Sequence, residues 1–431
     1  MTRRMKTHAL VAAVAAVSVV AVGGLTPAAS AQGFIRVSSG GGPGGAGSAT
    51  EPAVNRKSAA KYAAILGLSA DQQIALDDMV QSYLNDHATA LALMNQRLDD
   101  ARAEAEESGA FESFIKEMSA SRKRFSESMD LAEERLFDDL RLVLSPEQEN
   151  QWPAMERTRR RIENIDRGVL SSESVDLIQL VDDIDPPDSA RAAVAPVLAA
   201  YETTLDAALV ERIAQQELMS KKMEESDGPT DWMRYRDHYD SMRKASLKVR
   251  DVNTSFARQI RDSLPTGLRE QFEAEFQRRS FPQAYAGTYT ERVVDTTLEF
   301  DDLTPDQRKQ IEELRARLAR EMEAANARWA EAQRADEDAP NTETIIAEQF
   351  GMPMEIRLGE EPKELKDARA KRSELASAYL DQVRALLSPE QQARLPRREP
   401  SQRGVGAGGG MRMMVLETTE DASDAPPPPG R

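Results

Sequence analysis

This sequence has few arrangements of side chains that are typical of nucleophilic, acid–base or metal chemistry. The chain has three histidines and no cysteine, which excludes a thiolate metal site, a cysteine nucleophile and disulfide bonds. His87 falls on an apolar helical stripe. His238 stands in the run Asp237-His238-Tyr239-Asp240, whose neighbouring side chains point in different directions on a helix. We therefore expect structural roles for both histidines, and we predict neither a catalytic triad nor a zinc site.

Paired carboxylates and clustered methionines are the other candidates for chemistry. Asp182-Asp183 and Asp301-Asp302 each precede a predicted helix start, where negative charge complements the helix dipole. Met352-Pro353-Met354 and the group Met411, Met413 and Met414 could bind Cu(I) through their thioethers. Most of the 17 methionines lie along predicted helices, as adaptable core residues do. We predict a protein that is not an enzyme and has no cofactor or metal, with copper as an alternative.

The charge of the chain restricts its partners. Its formal net charge is −17 at pH 7 and its isoelectric point is about 4.9. Such a polyanion repels phosphate backbones. The basic run Arg159-Arg160-Arg161 is followed by Glu163 and Asp166, a pattern typical of a solvated helix face. Nucleic acid is therefore not an expected partner.

The first 31 residues have the three parts of a secretory signal peptide. Three basic residues precede an apolar run at 9–22, and Ala29-Ser30-Ala31 is a small-x-small cleavage site. Cleavage between Ala31 and Gln32 removes those basic residues and takes the formal charge from −17 to −20. The run is short for a membrane span, and an uncleaved anchor is the alternative. We predict a periplasmic or secreted protein with no membrane span after cleavage.

One five-residue pattern, Leu-Ser/Thr-x-x-Gln, occurs four times. Its Ser or Thr is a favoured helix N-cap, and its Gln can return to the N-cap amide to form a capping box. Three of the copies also have proline at the first helical position, where its missing N–H costs nothing. The pattern therefore predicts a helix start at each copy. The residues concerned are Leu68, Ser69 and Gln72; Leu144, Ser145 and Gln148; Leu303, Thr304 and Gln307; and Leu387, Ser388 and Gln391.

The spacing of the copies groups them into pairs. The first two leucines are 76 residues apart and the last two are 84 apart. A degenerate pair lies between them, at Ile184–Asp188, where Asp185 is the predicted cap, and at Leu264–Leu268. These offsets predict three tandem units of about 120 residues each. The predicted division is a signal peptide (1–31), a Gly/Ser-rich linker (32–57), helical units (58–168, 169–290 and 291–396) and a disordered tail (397–431).

Apolar residues spaced by three and four predict two long antiparallel helices in each unit. In the first unit the stripe runs from Leu76 to Leu98, breaks at Ser108-Gly109, and returns from Met118 to Val143. A helix with one apolar stripe must pair with another helix to bury it. The predicted fold class is therefore all-α, with coiled-coil-like helical hairpins in three tandem repeats, a flexible N-terminal linker and a C-terminal tail.

At these motifs the chain resembles the Spy/CpxP-like family of periplasmic proteins, whose signature is a paired Leu-Thr-x-x-Gln. The copy at 303–307 matches as written, and the other three have Ser in place of Thr. The resemblance implies an ATP-independent chaperone or envelope-stress modulator, whose long helices form a curved and often dimeric cradle for unfolded clients. The chain departs from the family pattern in its three units, its acidic charge and its lack of a His-rich ligand set.

The predicted function is that of an exported helical protein that binds unfolded or envelope proteins. Methionine-rich helical faces adapt to varied partners. The alternative is a non-catalytic coiled-coil scaffold or spacer of the envelope, and a homodimer is left open for both. The candidate client-binding residues are Met79, Tyr83, Met94, Met129, Met322 and Trp329.

Overall fold

The computed structural model describes residues 36–39, 50–109, 111–224, 236–339, 344–349, 352–357 and 361–397 of the 431-residue chain. The predicted signal peptide with its cleavage site at Ala31 and Gln32 lies outside these residues, and so does the tail from residue 398. The two methionine groups considered for copper also have their side chains outside the described part.

Two long helices form the first hairpin, and three shorter helices lie at its base. The turn between the long helices contains Gly109, whose φ of 71° is a left-handed conformation that favours glycine. The core joins the two long helices and two of the shorter ones through Tyr62, Leu76, Leu140 and Met155, which are all buried. The helices are α1 (Arg56–Leu66), α2 (Ala70–Ser108), α3 (Phe111–Leu142), α4 (Pro146–Glu149) and α5 (Trp152–Asn164).

The second hairpin is built from α7 and α8, which bury Tyr201, Leu205 and Ile260 completely. Because α7 begins at Asp188, and Pro187 O accepts from the first turn, Asp185 lies before the helix and its predicted capping role is wrong. The helices of this part are α6 (Leu177–Asp183), α7 (Asp188–Glu224), α8 (Arg236–Ser263) and α9 (Thr266–Ser280).

One helix in the described part of the chain, Asp188–Met219 of α7, is long and apolar enough to cross a membrane by length and composition. The sequence predicts no membrane span after cleavage, and no second stretch of this length and apolar character was expected. Core helices pass the same test, and Tyr201, Leu205 and Leu209 of this segment are fully buried in the core of the second hairpin. The segment is therefore weak evidence for a span.

The third hairpin pairs α11 with α12, and Ile311, Leu318 and Val383 lie in its core. A short antiparallel sheet, in the strand order β1-β3-β2, accompanies the helices. The helices are α10 (Tyr289–Leu298), α11 (Pro305–Asp338), α12 (Lys363–Leu386) and α13 (Pro389–Ala393), and the strands are β1 (Arg36–Ser39), β2 (Thr344–Gln349) and β3 (Met352–Arg357).

The helical hairpins confirm the predicted all-α class, whereas the number of repeats stays a prediction. The small sheet is an addition that the sequence analysis lacked. Strand β1 lies inside the predicted linker, and β2 and β3 lie between α11 and α12. The Thr-Ile-Ile start of β2 has the β-branched side chains that favour strands, but the run is too short to stand out.

Candidate functional site

Each of the four motifs starts a helix with a complete capping box. In the first, Gln72 N donates to Ser69 Oγ at 3.3 Å and Ser69 N donates to Gln72 Oε1 at 2.9 Å. The same reciprocal bonds occur at Ser145, Thr304 and Ser388. This arrangement satisfies backbone N–H groups that have no partner inside the helix.

The glutamines of the first pair also bind each other across the hairpin. Gln72 Nε2 donates to Val143 O at 2.7 Å and to Gln148 Oε1 at 2.8 Å. In return, Gln148 Nε2 donates to Gly67 O and to Gln72 Oε1, both at 2.9 Å. Each amide oxygen therefore caps its own helix while each amide nitrogen crosses to the other motif. We call this four-bond arrangement the glutamine clasp.

A second glutamine clasp, with three of the four bonds, closes the third hairpin. Gln307 Nε2 donates to Leu386 O at 2.6 Å and to Gln391 Oε1 at 3.1 Å, and Gln391 Nε2 donates to Asp302 O at 3.2 Å. The separation of paired motifs thus has a physical cause, because it is the length of chain that leaves the base of a hairpin and returns to it. Capping was the only role predicted for these glutamines, and their paired spacing was the available signal for the clasp.

The second hairpin has arginines in place of this clasp. Its degenerate motifs carry no glutamine at the matching positions. Arg269 Nε donates to Leu264 O at 2.6 Å, and Arg279 pairs with Asp183 at 2.7 Å. The second hairpin therefore has one ion pair between α6 and α9 and a local Arg269 bond, where the other two hairpins have a pair of glutamines.

One substitution can remove the cross-hairpin bonds of Gln72 while its capping bond to Ser69 N is kept. In Gln72→Glu, a carboxylate oxygen still accepts from Ser69 N, but the donor to Val143 O is lost and a charge faces Gln148 Oε1. We expect the free energy of unfolding to fall by about 1 to 3 kcal/mol, measured by urea denaturation. Gln81→Glu, an exposed change on the same helix, is the control and should stay within about 0.5 kcal/mol. Equal effects of the two changes would contradict a role for the clasp.

The residues chosen as client-binding candidates lie mostly in the interior. Tyr83, Met94 and Met322 are buried. Two more, Met79 and Met129, are partly buried against the core of the first hairpin. The remaining candidate, Trp329, packs beside Phe281 in a separate cluster, with the Arg372 guanidinium 5.6 Å from its ring centre. In the described residues, the structure does not bring these six side chains together on one exposed surface.

Exposed large apolar side chains occur instead at other positions of the first hairpin. The exposed fractions are 63% for Ile74, 45% for Leu93, 62% for Leu131 and 83% for Leu142, and Leu218 on α7 is 41% exposed. None of these residues was among the predicted binding residues, which were taken from the apolar stripe. Their signal was the presence of large apolar residues off that stripe.

Three of these leucines lie on one side of the hairpin. Leu131 and Leu142 are eleven residues apart, about three turns, and so share a face of α3. Arg135, one turn from Leu131, pairs with Asp86 of α2 at 3.5 Å. Leu93 lies two turns from Asp86 and therefore on the same side of α2. We define the exposed flank as Leu93, Leu131 and Leu142 with the Asp86–Arg135 ion pair.

The structure places His87 and His238 in different surroundings. His87 is buried, with its ring centre 5.6 Å from that of Phe125, and burial lowers its pKa. His238 Nε2 lies 2.5 Å from Lys222 Nζ. Within the described ranges, no group of three or more His, Asp or Glu side chains could hold a metal ion.

A buried polar loop joins the hairpins. This segment, 168–176, is here called the junction loop. Its Glu173 is fully buried, pairs with Arg212 of α7 at 2.8 Å, and also accepts from Val169 N and Leu170 N. Asn253 of α8 donates to Ser172 O at 2.7 Å. These bonds fix the junction loop in the interior of the second hairpin.

The same loop also holds the end of α11. Ser171 N donates to Glu337 Oε1 at 3.0 Å, and Arg250 of α8 pairs with Asp338 at 2.6 Å. Ser172 adopts a φ of 64°, a left-handed conformation that strains a residue with a Cβ. The junction loop therefore connects the second and third hairpins through charged and polar groups.

Three carboxylates surround one arginine between α3 and α5. Arg159 pairs with Glu133, with Glu156 at 3.0 Å and with Glu163 at 3.4 Å. Burial, reinforced by the charge of Glu133, raises the pKa of Glu163 to about 8. Burial and then the charge of Asp176 raise the pKa of Asp166 to about 6.

This cluster predicts a loss of stability in alkaline solution. Because the folded pKa of Glu163 lies above the usual value for glutamate, the folded state binds the proton more tightly than the unfolded state. This contribution to stability is therefore fully present below the usual pKa of glutamate and is lost as the pH rises through 8. We expect the free energy of unfolding to fall by about 1 to 3 kcal/mol between pH 6 and pH 8.5. Glu163→Gln should remove most of this dependence, whereas exposed Glu127→Gln should leave it unchanged.

Paired capping motifs lie at the base of the first and third hairpins. Residues 301–398 match the family model described as LTXXQ motif family protein. This match covers the third hairpin with its clasp, is consistent with a periplasmic helical protein, and indicates no enzyme family. It confirms the predicted resemblance for this part of the chain. No curated protein and no solved structure matches the chain.

Proposed function

We propose that the protein is an exported, non-catalytic binding protein of the cell envelope, which holds apolar segments of partly folded clients on the exposed flank. The observation that supports this function is the exposure of Leu131 and Leu142, at 62% and 83%, on one face of α3. The periplasmic character of the matching family and the features of the first 31 residues support export, with cleavage between Ala31 and Gln32.

The strength of such binding follows from the apolar area available. Burial of one leucine side chain contributes about 1.5 to 3 kcal/mol. Because 45%, 62% and 83% of the three leucines are exposed, their burial contributes roughly 3 to 6 kcal/mol before the entropic cost of association is subtracted. Binding is therefore weak and reversible, as a chaperone that releases its client without ATP requires.

An aggregation assay with the chain from Gln32 to Arg431 tests this function. We expect the protein to suppress light scattering of a chemically denatured client at severalfold molar excess. The double variant Leu131→Ser/Leu142→Ser should need at least about threefold more protein for the same suppression, because the central apolar contacts are lost. Circular dichroism checks that the variant is folded.

Leu218→Ser provides the matched control, since it removes an exposed leucine from α7 of the second hairpin. It should suppress aggregation as the unchanged protein does. Absence of suppression by the unchanged protein would contradict the client-binding function. Equal activity of the double variant and the control would contradict the location of the site.

A scaffold or spacer is the second candidate. It is supported by the apolar stripes, which each hairpin buries in its own core, as Leu76, Tyr201 and Ile311 illustrate. The 39 residues of α2 give a rod of about 58 Å. Light scattering after size exclusion, combined with an apolar dye, distinguishes the candidates. An elongated homo-oligomer that binds no dye supports the spacer, whereas dye binding that Leu131→Ser/Leu142→Ser reduces supports the client-binding function.

A further inference from the structure

We infer that the exposed flank selects cationic amphipathic segments, which present Lys or Arg beside apolar residues. This inference rests on the proposed client-binding function and adds the chemical class of the client. It follows from the charges that surround the exposed leucines.

The helix that forms half of the hairpin is strongly acidic. Among its 39 residues, α2 carries nine Asp or Glu and two Arg. Most of these carboxylates are exposed, including Asp77, Asp78, Asp99 and Asp100. A partner that approaches the hairpin therefore meets a negative potential, which attracts positive charge over a distance of about one Debye length.

Carboxylates also lie one helical turn from three of the exposed apolar residues. Residues three or four apart are neighbours on a helix surface. The neighbouring pairs are Glu127 with Leu131, Asp139 with Leu142, and Asp71 and Asp78 with Ile74. Each of these apolar side chains is thus accompanied by at least one exposed negative charge at the distance that a neighbouring side chain of a bound helix can reach.

The nearest arginines do not cancel this field. Arg135, beside Leu131, pairs with Asp86 at 3.5 Å. Arg141, beside Leu142, pairs with Glu149 at 2.5 Å. Both positive charges are compensated by carboxylates of the same unit, so the charge left beside Leu131 and Leu142 is negative. Leu93, in contrast, has Arg97 one turn away and no carboxylate at that distance.

An apolar segment gains the same burial whatever its charge, so the carboxylates decide between otherwise equal clients. Lys or Arg beside the apolar residues is attracted, and Asp or Glu at the same places is repelled. The exposed flank therefore combines an apolar contact, which provides affinity, with a negative border, which provides selectivity.

Three labelled 18-residue peptides test this inference by fluorescence anisotropy with the chain from Gln32 to Arg431. All have helical periodicity: one has a Leu face and a Lys face, the second has the same Leu face with Glu, and the third has the Lys face with Ser in place of Leu. We expect the Lys/Leu peptide to bind at least ten times more tightly than the Glu/Leu peptide in about 20 mM salt, which corresponds to about 1.4 kcal/mol. This ratio should fall toward one in about 500 mM salt, because screening removes the charge contribution.

The outcomes separate the two proposals. Equal affinities of the Lys/Leu and Glu/Leu peptides in low salt would overturn the charge selectivity and leave the client-binding function in place. Failure of both Leu peptides to bind would overturn the client-binding function. Binding of the Lys/Ser peptide as tight as that of the Lys/Leu peptide would mean attraction by charge alone and would overturn the apolar site.

Matched variants locate the selectivity. Glu127→Gln/Asp139→Asn should lower the Lys/Leu to Glu/Leu ratio at least threefold, since it removes the carboxylates beside Leu131 and Leu142. Glu312→Gln/Glu313→Gln removes the same number of exposed charges from α11 and should leave the ratio unchanged. An equal decrease in both variants would show that overall charge, and not the exposed flank, determines the preference.

Discussion

Replacement of Glu173 by alanine should lower the free energy of unfolding by about 3 to 5 kcal/mol. The variant leaves Arg212, with only 2% of its side chain exposed, as a buried charge without its carboxylate partner. It also removes the acceptor for Val169 N and Leu170 N in the junction loop. Urea denaturation monitored by circular dichroism measures the change.

The control is the same substitution in a solvent-exposed ion pair. Glu211 of α7 pairs with Lys248 of α8, and about half of each side chain is exposed. Glu211→Ala should therefore change the free energy of unfolding by about 1 kcal/mol or less. A similar loss of stability in the two variants would contradict the view that the buried pair determines the structure of the junction.

Met322→Ala should lower the free energy of unfolding by about 2 to 5 kcal/mol, because its side chain is 1% exposed in the core of the third hairpin and alanine leaves a cavity. Arg328→Ala, an exposed change on the same helix, should have an effect within about 0.5 kcal/mol. Denaturant titration provides the comparison.

The same variant distinguishes a core residue from a binding residue. Under stabilising conditions, Met322→Ala should suppress client aggregation as well as the unchanged protein does, because the proposed binding surface lies on the first hairpin. If Met322→Ala no longer suppressed client aggregation but kept its stability, Met322 would be part of the client-binding surface, as the sequence predicts.

Local chemistry made the helix starts predictable. The Ser or Thr, the proline and the glutamine of each motif act on backbone groups within one turn, so Ser69 with Gln72 and Thr304 with Gln307 form their capping boxes as the residue types require. The apolar period likewise predicted which face of a long helix is buried, as at Leu76 and Val80.

Contacts between distant segments were not predictable in this way. A period identifies an apolar face but does not say whether a neighbouring helix covers it, so Tyr83 was expected at a binding surface and lies in the core. Glu173 and Arg212 are charged residues, which are exposed in most proteins. Their burial depends on a fold that brings positions 39 residues apart within 2.8 Å. The cluster around Arg159 depends in the same way on the docking of α5 against α3.

The glutamine clasps also determine where the hairpins tolerate insertions. Each clasp lies at the base, so residues added at the opposite end leave its hydrogen bonds in place. The first hairpin turns there at Gly109, whereas the third turns through the pair β2 and β3, and both keep their clasps. Residues added to one helix between the tip and the base would instead shift that helix in register and rotate its apolar face by about 100° per residue. Changes in length are therefore expected at the tips.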